Sequence, residues 1–532
     1  MPFTAPTGTA VGAGFVRAEK GRIVGPDGAP VLLRGVGLGT WLLPEGYMWG
    51  FGDAAASPRQ IEALVADLLG AEAAEDFWRV FRDRFVTAAD VAAIGAAGFD
   101  HVRLPINWRV VMTAEGELIE DGLVLVDRLI GWCRDAGLLV LLDLHGAPGG
   151  QTGTNIDDSL GRPDLFLDPR NADLTVALWV ALAERYRRDT TVAGYDLLNE
   201  PLPNEWQHRF PDELVALYRR LTAAIRAVDP DHLIMYEGTH WSTNWSIFTE
   251  VWDPNSALQF HRYWMSPERA AIAQYVRVGE ELGLPVYMGE GGENDPLWLA
   301  AAHQLYEDHR IGWNLWTWKK IETSTSPLSV RAPRGWARVV GYAAGTGPRP
   351  DRAEAAATFA ELLENLAVDR CDLRPEIVAG AFRRAPVTLP AYAFTFRGPG
   401  ESFAVADPVP HPGLRADDAV TLRRRDGGSD LDFHVDLAPE PGAAVVADLA
   451  EGDWLAFEVD LPAGGWRVGV PREPGSTGRP EIAIDGVPVP GVTGTGDGWT
   501  VEVTRVEGGR VPLRVTARNG ALVLAGLAIS LP

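Results

Sequence analysis

Two glutamates stand at the ends of apolar stretches that have the composition of buried β-strands. Glu200 follows residues 195–199, and Pro201 comes directly after it. Proline cannot donate to a strand ladder, so the strand must end there. Glu290 follows a second such stretch, residues 285–289. A carboxylate at a strand end is usually a solvated loop acid, whereas two that face each other can divide acid/base and nucleophilic work, as cleavage of a glycosidic bond requires.

The two glutamates belong to a series of eight strand-like stretches with helical patterns between most of them. Strands that alternate with helices form right-handed βαβ units around a parallel sheet, and eight such units predict a (β/α)8 TIM barrel in the α/β class. The runner-up is an open, doubly wound sheet, but Gly35, Gly37 and Gly39 lack the spacing of a dinucleotide-binding turn. The predicted strands cover residues 31–39, 98–105, 138–146, 192–198, 233–237, 257–261, 285–290 and 311–316.

Barrel active sites lie at the carboxyl ends of the strands, where side chains from different strands meet. We therefore expect Glu200 and Glu290 to face each other there. Arg103 and Tyr263 can donate hydrogen bonds to one of the two carboxylates and keep it ionised as a nucleophile. The other carboxylate then keeps its proton, because two close anions disfavour each other. The strand ends also carry groups that can hydrogen-bond to a sugar or stack on it: His145, Asn199, Glu237, His261, Trp316 and Trp318.

These strand-end motifs resemble, in order, those of family 5 of the glycoside hydrolases, in the retaining cellulase-like clan. The similarity spans roughly residues 28–325, and six motifs in order are far more specific than any one of them. The matching pieces are Val102-Arg103-Leu104-Pro105, Asp143-Leu144-His145-Gly146, Leu198-Asn199-Glu200-Pro201, His261-Arg262-Tyr263, Gly289-Glu290 and Leu315-Trp316-Thr317-Trp318-Lys319.

The resemblance implies roles for individual residues. Glu200 would be the acid/base and Glu290 the nucleophile of a retaining β-glycoside hydrolase, a mechanism that needs no metal or organic cofactor. Asn199 would hold the sugar 2-hydroxyl. The subsite of cleavage would be lined by Arg103, His145, His261 and Tyr263.

A narrower similarity is to the exo-acting β-1,3-glucanases of that family. It rests on residues 35–45 and 143–149, and it implies that Glu45 grips the terminal sugar. Gly37 stands where those enzymes have Asn, and residues 151–161 and the insertion at 57–84 differ from theirs. We expect exo action on β-glucosides or β-glucan oligosaccharides. An endo-β-glucanase, a β-glycosidase for mannose, galactose or arabinose, and a non-catalytic carbohydrate-binding protein stay open as alternatives.

The chain is long enough for a barrel and a smaller second domain. We predict a catalytic barrel over residues 1–375 with a helical insertion at about 57–97, and a linker at 376–390. Residues 391–532 have short alternating strands separated by turn residues, which predicts a β-sandwich. This sandwich resembles a family 6 carbohydrate-binding module. Its tryptophans are either core, which we favour, or a sugar platform: Trp454, Trp466 and Trp499.

Several candidate residues also have a plain structural interpretation. His145 and His261 can be satisfied core histidines, and no His-x-x-x-His spacing supports a metal site. Arg103 can pair structurally with Asp143, and Glu237 can either support the site or contact the sugar.

The composition of the chain limits the classes of molecule that it is expected to bind. The net charge of −24 argues against nucleic acid, because an acidic surface repels phosphates. No apolar run reaches membrane-spanning length. The first 14 residues lack a basic segment and an apolar core, so we expect a cytoplasmic protein, or a secreted one if a leader is missing. A carbohydrate or glycoside is the expected partner, and the oligomeric state stays open.

Overall fold

The computed structural model describes residues 14–154, 156–408, 413–428, 431–434 and 445–532. The chain begins with a hairpin of β1 (Arg17–Glu19) and β2 (Arg22–Val24). Val16 and Ile23 pack with residues near the starts of the barrel strands, among them Leu33, Leu139 and Leu233. The hairpin therefore lies at the amino-terminal end of the barrel, opposite the predicted site.

Eight parallel strands close into a barrel in the order β10-β3-β4-β5-β6-β7-β8-β9, which confirms the predicted TIM barrel. β5 is buried along its whole length, because one face points into the barrel and helices cover the other. The strands are β3 (Arg34–Gly37), β4 (His101–Asn107), β5 (Leu139–Gly146), β6 (Val192–Asp196), β7 (Leu233–Glu237), β8 (Ser256–His261), β9 (Val286–Gly292) and β10 (Gly312–Trp316).

Helices surround the barrel, and three of them occupy the predicted insertion. A capping box of Ser57 and Gln60 begins the first of these helices. Among the described residues, no helix is both long and apolar enough to cross a bilayer. The helices are α1 (Pro58–Leu69), α2 (Ala71–Phe85), α3 (Ala88–Ala97), α4 (Trp108–Val111), α5 (Glu120–Ala136), α6 (Pro169–Tyr186), α7 (Pro211–Arg226), α8 (Ala273–Leu282), α9 (Pro296–Asp308), α10 (Trp336–Ala343), α11 (Arg352–Asn365) and α12 (Pro375–Phe382).

The insertion supports the segment between β3 and α1. Phe77, Trp78 and Phe81 of α2 surround the ring of Trp49, at centroid distances of 6.4, 5.7 and 5.2 Å. The Trp49 indole donates to Thr40 Oγ1 at 2.9 Å. The apolar face of α2 thus fixes residues 40–49, which include Glu45.

After the barrel strands, the described residues form a small sheet and three antiparallel sheets. The small sheet contains β11 (Lys319–Ile321), β12 (Leu328–Val330) and β13 (Asp372–Leu373). The carboxyl-terminal sheets have the orders β14-β26-β19-β23-β22, β15-β18-β24-β20-β21 and β16-β17-β25. Their strands are β14 (Val387–Pro390), β15 (Phe403–Ala404), β16 (Leu422–Arg424), β17 (Val445–Leu449), β18 (Trp454–Leu461), β19 (Gly464–Pro471), β20 (Arg479–Ile484), β21 (Val487–Pro488), β22 (Thr493–Gly494), β23 (Gly498–Arg505), β24 (Gly509–Arg518), β25 (Leu522–Leu524) and β26 (Gly526–Ser530).

Residues 376–390, for which the sequence predicts a linker, contain most of helix α12 and all of strand β14 instead. The apolar face of the helix is the reason. Phe382 packs edge-on against Phe99 and Trp313 at centroid distances of 5.1 and 5.2 Å. The segment therefore belongs to the packed interior, between the barrel and the carboxyl-terminal sheets.

The barrel and the carboxyl-terminal sheets share one apolar core. Ion pairs cross between them: Glu307 of α9 is paired with Arg510 of β24 and also with Arg383. Arg384 Nε lies 2.8 Å from an oxygen of Asp460. Removing one partner of a buried pair leaves an uncompensated charge, so each of these pairs links the stability of the two parts.

Candidate active site

The structure brings the two predicted glutamates together at the carboxyl end of the barrel. One carboxylate oxygen of Glu200, one of Glu290 and one ring nitrogen of His261 all lie within 4.8 Å of one another. Glu200 is 8% and Glu290 5% exposed. Two carboxyl groups roughly 5–5.5 Å apart suit direct attack on a sugar, whereas a separation of about 6.5–9.5 Å leaves room for a water.

Glu290 lies on β9 and receives two hydrogen bonds. Arg103 Nη1 of β4 donates to Oε2 at 2.7 Å, and the Tyr263 hydroxyl donates to Oε1 at 2.6 Å. Burial, followed by the charge of Glu290, raises the pKa of Tyr263 well above its usual value, so the phenol stays a donor. Both contacts favour the anionic carboxylate, as a nucleophile requires.

Glu200 has a different environment. It follows β6 with a φ of 44°, a left-handed conformation that is uncommon outside glycine. Its backbone N–H donates to Glu237 Oε2 at 2.8 Å, and this bond holds the turn. His261 Nδ1 lies 2.7 Å from Glu200 Oε1. One carboxylate is thus bound by a fixed cation and the other by a titratable group.

Glu237 and His261 form a charged pair beneath Glu200, with a distance of 3.3 Å between Glu237 Oε1 and His261 Nε2. Burial alone would raise the pKa of Glu237, but the cations of His261 and Arg103 lower it to about 2. Burial alone would lower the pKa of His261, but Glu237, Glu290 and the hydrogen bond to Glu200 raise it well above its usual value. His261 therefore carries a proton and donates Nδ1–H to Glu200.

His145 and Asn199 form a neutral wall beside the carboxylates. Burial lowers the pKa of His145 to about 3, and its Nδ1 lies 2.7 Å from Asp143 Oδ2. Asn199 accepts from Arg103 Nη2 through Oδ1 at 2.7 Å, and its Nδ2 lies 3.3 Å from His145 Nε2. Each group fixes the orientation of the next.

Glu45 reaches the same end of the barrel from the segment after β3. Its carboxylate lies 3.9 Å from His145 Nε2, and it is 3% exposed. Within the described part of the chain, no hydrogen-bond partner reaches its Oε1. Burial raises the pKa of Glu45 well above its usual value, and the charges of Glu290 and Glu200 raise it further. An unpaired buried oxygen of this kind is suited to a ligand hydroxyl.

Trp316 lies at the site but is packed more tightly than a free platform. It is 1% exposed. Its ring is parallel to that of His145 at 5.5 Å, and its indole donates to the Tyr47 hydroxyl at 2.6 Å. A Cβ at Gly37 would lie 2.6 Å from Trp316 Cε3, and one at Gly39 2.7 Å from Cζ2. The ring therefore requires glycine at position 37, where the glucanases that this sequence resembles have Asn.

The structure places Trp318 elsewhere. Its indole donates to Asp90 Oδ1 of α3 at 3.1 Å, and Lys319 Nζ donates to the same oxygen at 2.7 Å. Trp318 therefore packs under the helical insertion. In the carboxyl-terminal sheets, Trp466 and Trp499 are each 5% exposed and belong to the core.

Sequence reasoning missed three site residues. Gln259 Nε2 donates to Asp196 Oδ2 at 2.8 Å and to Glu237 Oε1 at 2.5 Å, and Arg103 Nε donates to Asp196 Oδ2 at 2.8 Å. Asp196 and Gln259 are polar residues inside otherwise apolar strands, which is a readable signal of a polar interior. Tyr47 lies in a short 3-10 helix, Gly46–Trp49, and nothing in its spacing marks it.

The Glu200, His261 and Glu290 cluster has the composition of a metal site, but its atoms are engaged differently. Both Glu290 oxygens accept hydrogen bonds from Arg103 and Tyr263, and His261 Nδ1 faces Glu200. A cation there would meet the Arg103 charge. The donor set therefore fits proton transfer and nucleophilic attack better than metal binding.

Comparisons with known proteins find a family model and several relatives. A model of cellulase (glycosyl hydrolase family 5) matches residues 67–321. A β-xylosidase of Phanerodontia chrysosporium is 31% identical over 347 residues, 58% of this chain and 71% of that protein. A probable glucan 1,3-β-glucosidase A of Neosartorya fischeri is 34% identical over 228 residues, 41% of this chain and 52% of that protein.

The chain thus spans about half the length of that glucosidase. Among solved structures, an endogalactoceramidase is 17% identical with a TM-score of 0.45, and the alignment covers 96% of this chain and 99% of that one. The match to the β-xylosidase over most of its length, together with the family model, decides the family. The chain belongs to glycosyl hydrolase family 5 and is a glycosidase.

Proposed function

We propose that the protein is a retaining β-glycosidase that removes a terminal sugar from β-glucosides or short β-glucan oligosaccharides. Glu290 is the nucleophile and Glu200 the acid/base. The observation that carries this proposal is the pair of buried carboxylates within 4.8 Å, of which only Glu290 is held by Arg103.

The first step forms a covalent glycosyl-enzyme. A Glu290 oxygen attacks the anomeric carbon as the bond from that carbon to the leaving oxygen breaks, and Glu200 gives its proton to the leaving oxygen. Arg103 and Tyr263 orient the attacking carboxylate. The leaving alcohol departs, and Glu200 becomes an anion.

His261 stabilises that anion. Its Nδ1–H donates to Glu200 at 2.7 Å, and Glu237 keeps the imidazole protonated. In the second step Glu200 takes a proton from water, the water oxygen bonds to the anomeric carbon, and Glu290 is released. Two inversions at one carbon give net retention.

Glu45 supports action at a chain end. Its unpaired Oε1 beside His145 can accept hydrogen bonds from hydroxyls of a terminal sugar. Trp316 stacks on His145, and its indole donates to the Tyr47 hydroxyl. The names of the relatives, a β-xylosidase and a glucan 1,3-β-glucosidase, fit release of single pyranose units and add xylose to the candidate sugars.

A panel of aryl β-glycosides tests the proposal, with glucose, xylose, mannose, galactose and arabinose as the sugars. We expect turnover of the β-glucoside, the β-xyloside or both, and release of monosaccharide from a laminari-oligosaccharide. Longer first products would indicate endo action. No turnover of any glycoside, with saccharide binding retained, would favour the non-catalytic alternative.

A further inference from the structure

An aromatic path leads from Glu290 to the carboxyl-terminal sheets. Tyr263, which donates to Glu290, lies next to Trp264, with ring centroids 5.5 Å apart. The ring of His434 lies 4.1 Å from that of Trp264 with a tilt of 40°. His434 belongs to the part of the chain that follows the barrel, so a residue from outside the barrel stands two rings away from the nucleophile.

Trp264 is held rigidly at the rim of the site. It has a φ of 50°, uncommon for a bulky residue, and its indole donates to the Glu293 carbonyl at 3.1 Å. The Glu293 side chain is in turn paired with Lys320. Trp264 is nevertheless 38% exposed, so part of the fixed ring is free to meet a ligand.

The short segment 431–434 is anchored on the loop after β9. Asn294, which is fully buried, donates through Nδ2 to the Phe433 carbonyl at 2.6 Å. Phe433 is 2% exposed and packs edge-on against Tyr392 at 5.8 Å. Within the described part of the chain, the buried Nδ1 of His434 has no hydrogen-bond partner. The His434 ring is thus placed by its neighbours in the fold, and its Nδ1 is unpaired among the described residues.

Trp264 follows β8, the strand that supplies His261, and the segment of His434 is hydrogen-bonded to the loop after β9, the strand that supplies Glu290. Glu45, His145 and Trp316, which surround the proposed terminal sugar, come from β5, β10 and the segment after β3. Glu200 follows β6, and Trp264 comes just after β8, on the strand that supplies His261. The leaving group must approach Glu200, whose carboxylate accepts from His261 of β8, and Trp264 follows His261 by three positions.

We propose that His434 and Trp264 together form an aromatic wall of the leaving-group subsite. The carboxyl-terminal sheets thereby take part in substrate selection. This rests on the proposed glycosidase function. The wall suits a leaving group with a flat or ring-shaped face, such as an aryl group or a second sugar ring, because stacked rings attract beyond their buried area. His434 is a specificity residue and does not touch the reacting atoms.

Two substrates with the same sugar but different leaving groups distinguish a contact with the leaving group from a general effect on activity. An aryl β-glycoside carries a ring as its leaving group, whereas the matching glycosyl fluoride has a leaving group too small to reach Trp264. For His434→Ala we expect kcat/KM on the aryl glycoside to fall about 2- to 10-fold, the range of a lost ring contact. We expect kcat/KM on the fluoride to be unchanged, and His434→Phe, which keeps the ring, to stay near wild type on both.

His309→Ala is the matched control. His309 ends α9, before β10 begins, and should change neither substrate's kcat/KM. An equal loss of kcat/KM on both substrates in His434→Ala, or no loss on the aryl glycoside, would overturn the wall. Failure of the wild type to hydrolyse either substrate would overturn the proposed function, and the wall with it.

Discussion

At the scale of single residues, the site is a set of carboxyl groups given different tasks by their neighbours. Glu290 meets the permanent cation of Arg103 at 2.7 Å and Glu200 meets His261 at 2.7 Å, whereas Glu45 Oε1 has no hydrogen-bond partner among the described residues. The fixed charge of Arg103 suits Glu290 to be a nucleophile, and the titratable His261 suits Glu200 to carry a proton. Burial without a partner suits Glu45 to accept a hydroxyl.

The effect of replacing Glu200 on kcat/KM should depend on the leaving group of the substrate. In Glu200→Ala we expect kcat/KM for an alkyl glycoside to fall about 10²–10⁴-fold, the usual contribution of general acid catalysis. A dinitrophenyl glycoside needs no protonation, so its kcat/KM should fall much less. Steady-state kinetics on the two substrates measure the difference. Equal losses would remove Glu200 from the acid role.

Glu237 should affect stability in acid. Its pKa is about 2 in the folded protein and roughly 4.3 in an unfolded chain. The depressed value contributes stability that is complete above the unfolded pKa and is lost as pH falls toward 2. We expect Glu237→Gln to lose stability at neutral pH and to show a flatter decline between about pH 4.5 and 2. Urea unfolding across that range checks this, and parallel profiles for both proteins would contradict it.

At the scale of elements, the periodicity of the sequence is enough to predict the barrel. It is not enough to place every side chain at the carboxyl ends of the strands. The eight strands and the pairing of Glu200 with Glu290 follow from patterns that any barrel imposes on its strands. Trp318 shows the limit. Residues 316 and 318 should share a face of a regular strand, but β10 ends at Trp316, so alternation no longer applies.

Gly37, which lies against Trp316, provides a test at this scale. A Cβ at Gly37 would lie 2.6 Å from Trp316, so Gly37→Ala must displace the ring and, through it, Tyr47 and His145. We expect kcat/KM to fall about 10- to 100-fold, the cost of a misplacement near 1 Å. The control is Gly131→Ala on α5, where no atom lies within 4 Å of the new Cβ. Similar activity of the two variants would contradict the packing argument.

At the scale of the whole molecule, the barrel and the carboxyl-terminal sheets behave as one body. The sequence predicts the change from alternating helices to short strands, but it cannot show which charges meet between residues far apart in the chain. Glu307 and Arg510 are 203 positions apart and form an ion pair. The same limit hid the contact between Trp264 and His434.

Removing the charge of Glu307 should therefore destabilise both parts together. Glu307→Gln leaves the fully buried Arg383 without its partner, which should cost about 3–5 kcal/mol of unfolding free energy. Glu481→Gln removes the partner of Arg518 in an exposed pair and should cost about 0–1 kcal/mol. Denaturant unfolding should show a single transition at lower concentration for the first variant. Two separate transitions in the wild type would contradict the one-body description.

The proposed attack of Glu290 on the anomeric carbon can be measured directly. A 2-deoxy-2-fluoro glycosyl fluoride of the preferred sugar slows both steps, and it slows the second more, so the covalent intermediate accumulates. Mass spectrometry of the digested protein should find one added fluorosugar on the peptide that contains Glu290, and none in Glu290→Gln. A fluorosugar on another residue, or turnover of the β-glycoside with inversion and no covalent adduct, would contradict the account.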